Sequence, residues 1–190
     1  MTASTVGPVV GPVLSRRGFG RAVLACGAAL TGVLTTGAAL ADLPHRKPLV
    51  KADRVVVHKG ARRLLLMRNG DVLRRYRIAL GFNPIGPKVR QGDGRTPEGE
   101  YRLDGRNPES EFYRAIRISY PAPRDTFRAA QLGVAPGGAI MIHGLPNGMG
   151  VIGETHAKWD WTDGCIAVTN SEMDEIWARV DDGTPIEILP

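Results

Sequence analysis

The chain has 190 residues, enough for one domain with a sizeable core, and a hydrophobic content of 43% excludes both a disordered chain and a multi-span membrane protein. A formal charge of +6 and a pI near 9.7 fit nucleic acid, an anionic surface or a polyanionic polymer as partner. Aromatics make up only 6% and no basic stripe is interleaved with them, so nucleic-acid binding is not expected.

The N-terminus reads Ser15-Arg16-Arg17-Gly18-Phe19-Gly20-Arg21, then an apolar run rich in glycine and alanine from Ala22 to Leu40, then the small-x-small box Ala39-Leu40-Ala41. These are the three parts of an export signal, so residues 1–41 are expected to be one, with Asp42 as the new N-terminus. The paired arginines before phenylalanine resemble the twin-arginine type. An uncleaved anchor and lipidation at Cys26 are the alternatives. The expected location is the periplasm or cell envelope, with membrane contact only through this signal. Residues 42–52, with two prolines and four basic side chains counting His45, read as a linker. The folded domain is expected over 53–190.

Arg54 to His58 and Arg62 to Arg68 are β-prone, and Asn69-Gly70 then separates the second run from Val72 to Leu80. Asn-Gly between two such runs predicts a hairpin, so the domain opens as a β-meander. His58 reads as a turn residue beside Lys59-Gly60. Gly81 to Gly99 is too rich in glycine and proline for regular structure, and loops this long in compact domains are functional or disordered. It lacks Gly-Lys-Ser/Thr and no helix pattern follows it, which argues against phosphate binding. Strands are expected at Gly99 to Leu103 and, from its alternation, at Ala115 to Tyr120. A weak helical pattern from Arg124 to Leu132 stops at Gly133. Pro136-Gly137-Gly138 turns into an apolar strand, Ile140-Met141-Ile142, that ends on His143. Leu145 to Asp160 is a second glycine-rich loop, carrying His156 and Trp159. Thr169-Asn170-Ser171-Glu172 fits a capping box, Met173, Ile176, Trp177 and Val180 follow at helical spacing, and Pro185 to Leu189 is a closing strand.

Cysteine occurs twice, at Cys26 and Cys165. Once the signal is removed Cys165 has no partner in the chain, which leaves a reactive thiol or an intermolecular bridge in an exported protein. Cys165 follows the turn Trp161-Thr162-Asp163-Gly164, and His143 ends a strand. Thiolate chemistry needs such a base, and the Cys165 amide with one from the preceding turn can serve as oxyanion donors. A backbone carbonyl is the available orienting group for the imidazole. His143, His156, Asp160, Asp163 and Cys165 are all zinc-ligand types, but no Cys-x-x-Cys or His-x-x-x-His spacing is present, so no metal is expected. Residue types alone leave thiol acyl transfer and a structural cysteine both open.

Ile142-His143-Gly144 followed by Thr162-Asp163-Gly164-Cys165-Ile166 resembles the active-site signature of the L,D-transpeptidase catalytic domain (YkuD-like). Gly92-Asp93-Gly94-Arg95-Thr96-Pro97-Glu98-Gly99 resembles that family's Thr-Pro-x-Gly segment, and Asp160 to Asn170 is similar to a small, exported, murein-associated branch. The resemblance runs from about Arg54 to Pro190. It implies a mainly β, sandwich-like domain with one or two short helices. It implies Cys165 as nucleophile, His143 as base and the Gly144 carbonyl as its orienting group. The implied reaction is attack before the terminal D-alanine of a peptidoglycan tetrapeptide stem. The thioester then passes to an amine of a second stem, to a cell-wall protein such as a murein-linked lipoprotein, or to water in a carboxypeptidase or amidase. It implies no metal or organic cofactor, and acylation by carbapenems. Two positions depart from the commonest pattern: Asp163 stands where many members have histidine, and Ala167 where many have arginine or asparagine. Arg95, Trp159, Trp161, Asp163 and Gly164 are the expected substrate-binding residues.

Overall fold

The computed structural model describes residues 48–190; the expected export signal and most of the expected linker lie outside the described residues. Eight strands dominate: β1 (Arg54–His58), β2 (Arg63–Arg68), β3 (Asp71–Arg77), β4 (Gly99–Ser110), β5 (Tyr113–Ile118), β6 (Met141–His143), β7 (Ile166–Ala167) and β8 (Pro185–Leu189). Two α-helices, α1 (Pro123–Gln131) and α2 (Asn170–Arg179), and a 3-10 segment over Gly150–Lys158 complete the elements. The β2–β3 turn is the one read from Asn69-Gly70. Both residues have positive φ, 52° and 86°, the geometry of the hairpin turn whose twist matches the strands.

The strand order is β3-β2-β1-β8-β4-β5-β6-β7. The long β4 belongs to both halves: Gly99 to Arg102 pair with β8, and the stretch from Leu103 to Ser110 pairs with β5. Register shifts at Leu103/Gly105 and Asn107/Ser110 bend it between these duties. The ends of the order then meet. After β3 the chain bridges to the last strand through Ala79–Ala167, and Gly81 bridges to Thr162. The sheet is thus curled, and both halves fill one core. Val55, Val57, Leu64 and Leu66 from one side join Ile116, Ile118, Ile142 and Ile166 from the other. Each such side chain contributes about 1.5–3 kcal/mol on burial.

The last residues of the expected linker are docked. Ala52 is buried, its amide donates to Arg179 O (2.8 Å), and Arg179 Nη1 donates to Val50 O (2.8 Å). Helix α2 begins as the capping box predicts: Thr169 Oγ1 accepts from Glu172 N, and Glu172 Oε2 accepts from Thr169 N at 2.8 Å. Among the described residues no helix is long and apolar enough to cross a membrane.

Candidate active site

The sheet register brings Cys165 and His143 together. Strands β6 and β7 run parallel, with Ile142 opposite Ile166 and His143 opposite Ala167. Cys165 lies one step before Ile166, beside Met141. Side chains two residues apart share a face, so Met141, His143 and Cys165 project to one side while Ile142 and Ile166 enter the core. A cleft of about 620 Å³ opens on that side. One wall is the β4–β5 hairpin tip with Ser110, Glu111 and Phe112. A second is Gly138 to Met141, and a third is Trp161 to Asp163.

Two glycines permit this closeness. A Cβ on Gly164, whose φ is 131°, would lie 2.5 Å from Arg95 O and 3.1 Å from Ile140 Cδ1. A Cβ on Gly144 would lie 2.8 Å from Asn170 Oδ1 and 2.9 Å from Tyr113 Cβ. The turn before the thiol is pinned by the buried Thr162. Its hydroxyl donates to Cys165 O (2.7 Å) and accepts from Gly164 N (3.2 Å), and its main chain exchanges bonds with Leu80 and Phe82. Asp160 adds a carboxylate that accepts from Arg62 and from Leu80 N.

The imidazole is fixed on two counts. His143 Nδ1 lies 2.7 Å from Gly144 O, and a carbonyl only accepts, so Nδ1 carries the proton and Nε2 is the basic nitrogen. Phe112 lies 4.6 Å and Trp161 5.9 Å from the His143 ring, centroid to centroid, and the two are 6.2 Å from each other, so the three rings form one cluster that limits the imidazole's freedom to tilt. The Cys165 thiol points to Ala139 O at 3.6 Å. Ala139 has φ 56°, a left-handed conformation uncommon outside glycine.

Burial has the largest influence on both reactive groups and keeps both neutral. It pushes the Cys165 thiol above its ordinary 9.0. A hydrogen bond from Met141 opposes that rise, the Asp163 carboxylate adds to it, and Lys88 opposes it. Burial pushes His143 below its ordinary 6.5 against the pull of Gly144, and nearby His156 lowers it further. At rest the pair is therefore thiol and imidazole, not thiolate and imidazolium.

The loop Gly81–Gly99 is folded by side chains of its own and by Lys59. The Lys59 ammonium, 2% exposed, donates to Gly86 O (2.7 Å), Thr96 O (2.9 Å) and Glu98 Oε1 (2.7 Å). Asp93 accepts from Lys88 and from the amides of Val89, Arg90 and Arg95, which hold its carboxyl down at about 2 against the opposing effect of burial. Thr96 Oγ1 accepts from Gly81 N. Arg95 backs the Gly164 turn with its carbonyl, but its side chain lines a neighbouring cleft of about 460 Å³ with Phe82 and Leu132. Trp159 is 56% exposed and does not line the thiol cleft, whereas Trp161 and Asp163 do. Among the described residues no three His, Cys, Asp or Glu side chains are grouped to hold a metal ion. Phe112, Glu111, Lys59 and the Met141 amide are site residues that the sequence reading did not single out. The only signal for Lys59 was its place at a strand end.

Fold and cleft together define a mainly β domain that holds a cysteine and a carbonyl-locked histidine in one cleft beside two neighbouring parallel strands. The chain belongs to the family of the L,D-transpeptidase catalytic domain (YkuD), whose family model matches residues 52–188. "Putative L,D-transpeptidase YafK" of Escherichia coli (strain K12) is 32% identical over 112 residues, which cover 58% of this chain and 38% of that protein. The helical cell shape determining protein Pgp2 from Campylobacter jejuni has a similar structure, with a TM-score of 0.51 at 26% identity. That match covers 71% of this chain and 46% of Pgp2. The K307A mutant of Pgp2 gives a TM-score of 0.52. The chain thus spans under half the length of these relatives.

Proposed function

We propose that this protein is a cell-wall L,D-transpeptidase that acts on peptidoglycan stem peptides through a Cys165 thioester. The observation that carries this reading is the placement of Cys165 and the Nδ1-locked His143 in one cleft of a YkuD-family domain. The likeness to a protein named for determining helical cell shape supports a role in the wall.

The neutral pair calls for general-base catalysis. The thiol turns from Ala139 O and gives its proton to His143 Nε2 as sulfur attacks the carbonyl before the terminal D-residue. The Gly164 amide is engaged by Thr162, so the Cys165 amide is the available oxyanion donor on this turn. Collapse breaks the C–N bond, and the imidazolium returns the proton to the departing amine. An acceptor amine, from a second stem or a murein-linked lipoprotein, then attacks the thioester, loses its proton to His143 and releases the sulfur. Export by the N-terminal segment to the periplasm or cell envelope is part of the proposal, because the substrate lies there.

The test has two readouts. Intact-mass measurement with a carbapenem should show an adduct on the wild type that Cys165→Ala abolishes. An adduct of unchanged yield in the variant would overturn the assignment. Incubation with tetrapeptide-rich murein should give 3–3 cross-linked dimers; tripeptides alone would make water the acceptor.

A further inference from the structure

A second cleft, of about 460 Å³, opens on the loop Gly81–Gly99 and shares no lining residue with the thiol cleft. Two observations mark it as a site. The first is Arg95, which lines it. Among the described residues five arginines are buried or partly buried: Arg62, Arg95, Arg106, Arg114 and Arg179. Arg62 pairs with Asp160, Arg106 with Asp182, Arg114 with Asp174 and Arg179 with Glu175. Arg95 has no carboxylate partner among the described residues, and its Nε is shut off from solvent without a hydrogen bond. A guanidinium that gives up water and gains no partner is costly to keep. Asp93 lines the same cleft but is already engaged, by Lys88 and by the amides of Val89, Arg90 and Arg95. The second observation is the apolar wall. Phe82 and Leu132, both exposed, line the cleft together with Val89 and Val134. Phe82 is fixed there, because its ring rests on bare backbone where a Cβ on Gly94 would run into it.

We infer that this cleft binds the C-terminal carboxylate of a peptide whose last side chain is apolar. A guanidinium offers parallel N–H donors that match a carboxylate edge to edge, so Arg95 gains the partner it lacks. Arg90, which lines the cleft as well, adds positive charge. The apolar wall takes the side chain beside that carboxylate. The volume lies at the small end of ligand pockets, which suits the last one or two residues of a chain. A phosphate dianion would meet the same donors, but it would lie against the Asp93 carboxylate with twice the repulsion of a monoanion. Arg95 also links this cleft to the nucleophile turn, since its carbonyl packs against Gly164 while its side chain lines the cleft. A peptide end held here is anchored on the loop that supports Cys165, without entering the thiol cleft.

The site does not depend on the thioester chemistry, so its test is binding and not turnover, and the failure of either reading leaves the other standing. The probes are N-acetyl dipeptides ending in alanine, valine or leucine, each as the free acid and as the C-terminal amide. They are titrated into the full chain and followed by backbone amide chemical shifts. At least one free acid should bind about tenfold tighter than its amide, a preference that shrinks with salt. The shifts should centre on Val89 to Asp93 and Leu132 to Val134. Arg95→Gln should abolish the preference, and Leu132→Ser should weaken binding of the acid. Circular dichroism checks both folds; if Arg95→Gln does not fold, the exposed Leu132 decides, and an unchanged affinity in Leu132→Ser overturns the inference. Equal binding of acid and amide, no binding of either, or a preference that survives in Arg95→Gln overturns it. So do shifts confined to Glu111, Phe112 and Met141, which place the peptide in the thiol cleft. Inorganic phosphate is the competing arm, and tighter binding of phosphate than of every free acid makes this a phosphate site and overturns the assignment.

Discussion

At the scale of single residues, burial governs the reactive pair, and it has consequences for pH. His143 and His156 both have imidazoles pushed below the ordinary 6.5 by desolvation, while Cys165 is pushed above 9.0. Between the lowered folded value and 6.5 the unfolded chain binds more protons, so stability is full above about 6.5 and falls as pH drops below it. For the thiol the unfolded chain is the one that loses its proton first, so stability is full below 9.0 and falls as pH rises above it. The acid window lies above the carboxylate range, and the alkaline window opens below the ordinary 10.0 of the tyrosines. Urea midpoints should therefore be lower at about pH 5.5 than at about pH 7. On the alkaline side burial holds Lys59 below its ordinary 10.5, which acts in the opposite direction to the thiol. The thiol is therefore read by difference: from about pH 8.5 to 9.5 wild type should lose stability relative to Cys165→Ala. His156→Leu should reduce the acid loss alone. Identical pH profiles for all three proteins would contradict the account. Catalysis follows the same sign. The base must be neutral, so the acylation rate should fall on the acid side of 6.5, not at it.

At the scale of elements, the loop Gly81–Gly99 shows how a segment without regular structure is made rigid. Its ties are a buried lysine, an aspartate that gathers three amides, and a threonine that takes the Gly81 amide. The loop in turn presses Arg95 O against Gly164, directly under the thiol. Lys59→Met removes three donors and leaves Glu98 and two carbonyls short of partners. The expected cost is about 2–4 kcal/mol in urea denaturation. On the proposed function carbapenem acylation should slow as well, because the turn from Thr162 to Cys165 loses its support. A variant that is destabilised yet acylates at the wild-type rate would separate loop from turn. The lack of regular structure in this loop was legible from its composition, but Lys59 was not, since nothing local to His58-Lys59-Gly60 points to a partner about 30 residues away. The β1–β3 meander and the α2 cap were legible because turn chemistry and capping are local. The second part of β4 was not: Gly105 and Asn107-Pro108 interrupt the alternation at the bulges that bend the strand. The hairpin tip it carries, with Glu111 and Phe112, was missed with it. That Cys165, His143 and Gly144 lie together was readable because the motif spacing mirrors strand ends. Trp159, two residues from Trp161, was taken for a cleft residue because sequence proximity does not tell which side of a turn a side chain takes.

At the scale of the whole molecule, strands β6 and β7, which carry His143 and lead from Cys165, are short, three and two residues, and cannot stand alone. They are held because the sheet closes, with β7 bridged to the segment after β3 and the two halves sharing β4 and one core. A loss far from the cleft must then reach it. Leu66 is fully buried on β2, in the half opposite the cleft, and its truncation to alanine should cost about 2–5 kcal/mol. All three tryptophans, Trp159, Trp161 and Trp177, lie in the other half, so their fluorescence reports the site side while far-ultraviolet circular dichroism reports the sheet. Cys165 labelling, located by peptide mass to distinguish it from Cys26, reports the thiol itself. In wild type the three denaturant transitions should coincide, and in Leu66→Ala all three should move together by the same amount. If the dichroism transition shifts while the fluorescence and thiol transitions stay, the halves unfold independently. In that case β4 would be a tether and not a shared strand, and the rigidity of the cysteine–histidine cleft would have to come from the β4–β7 half alone.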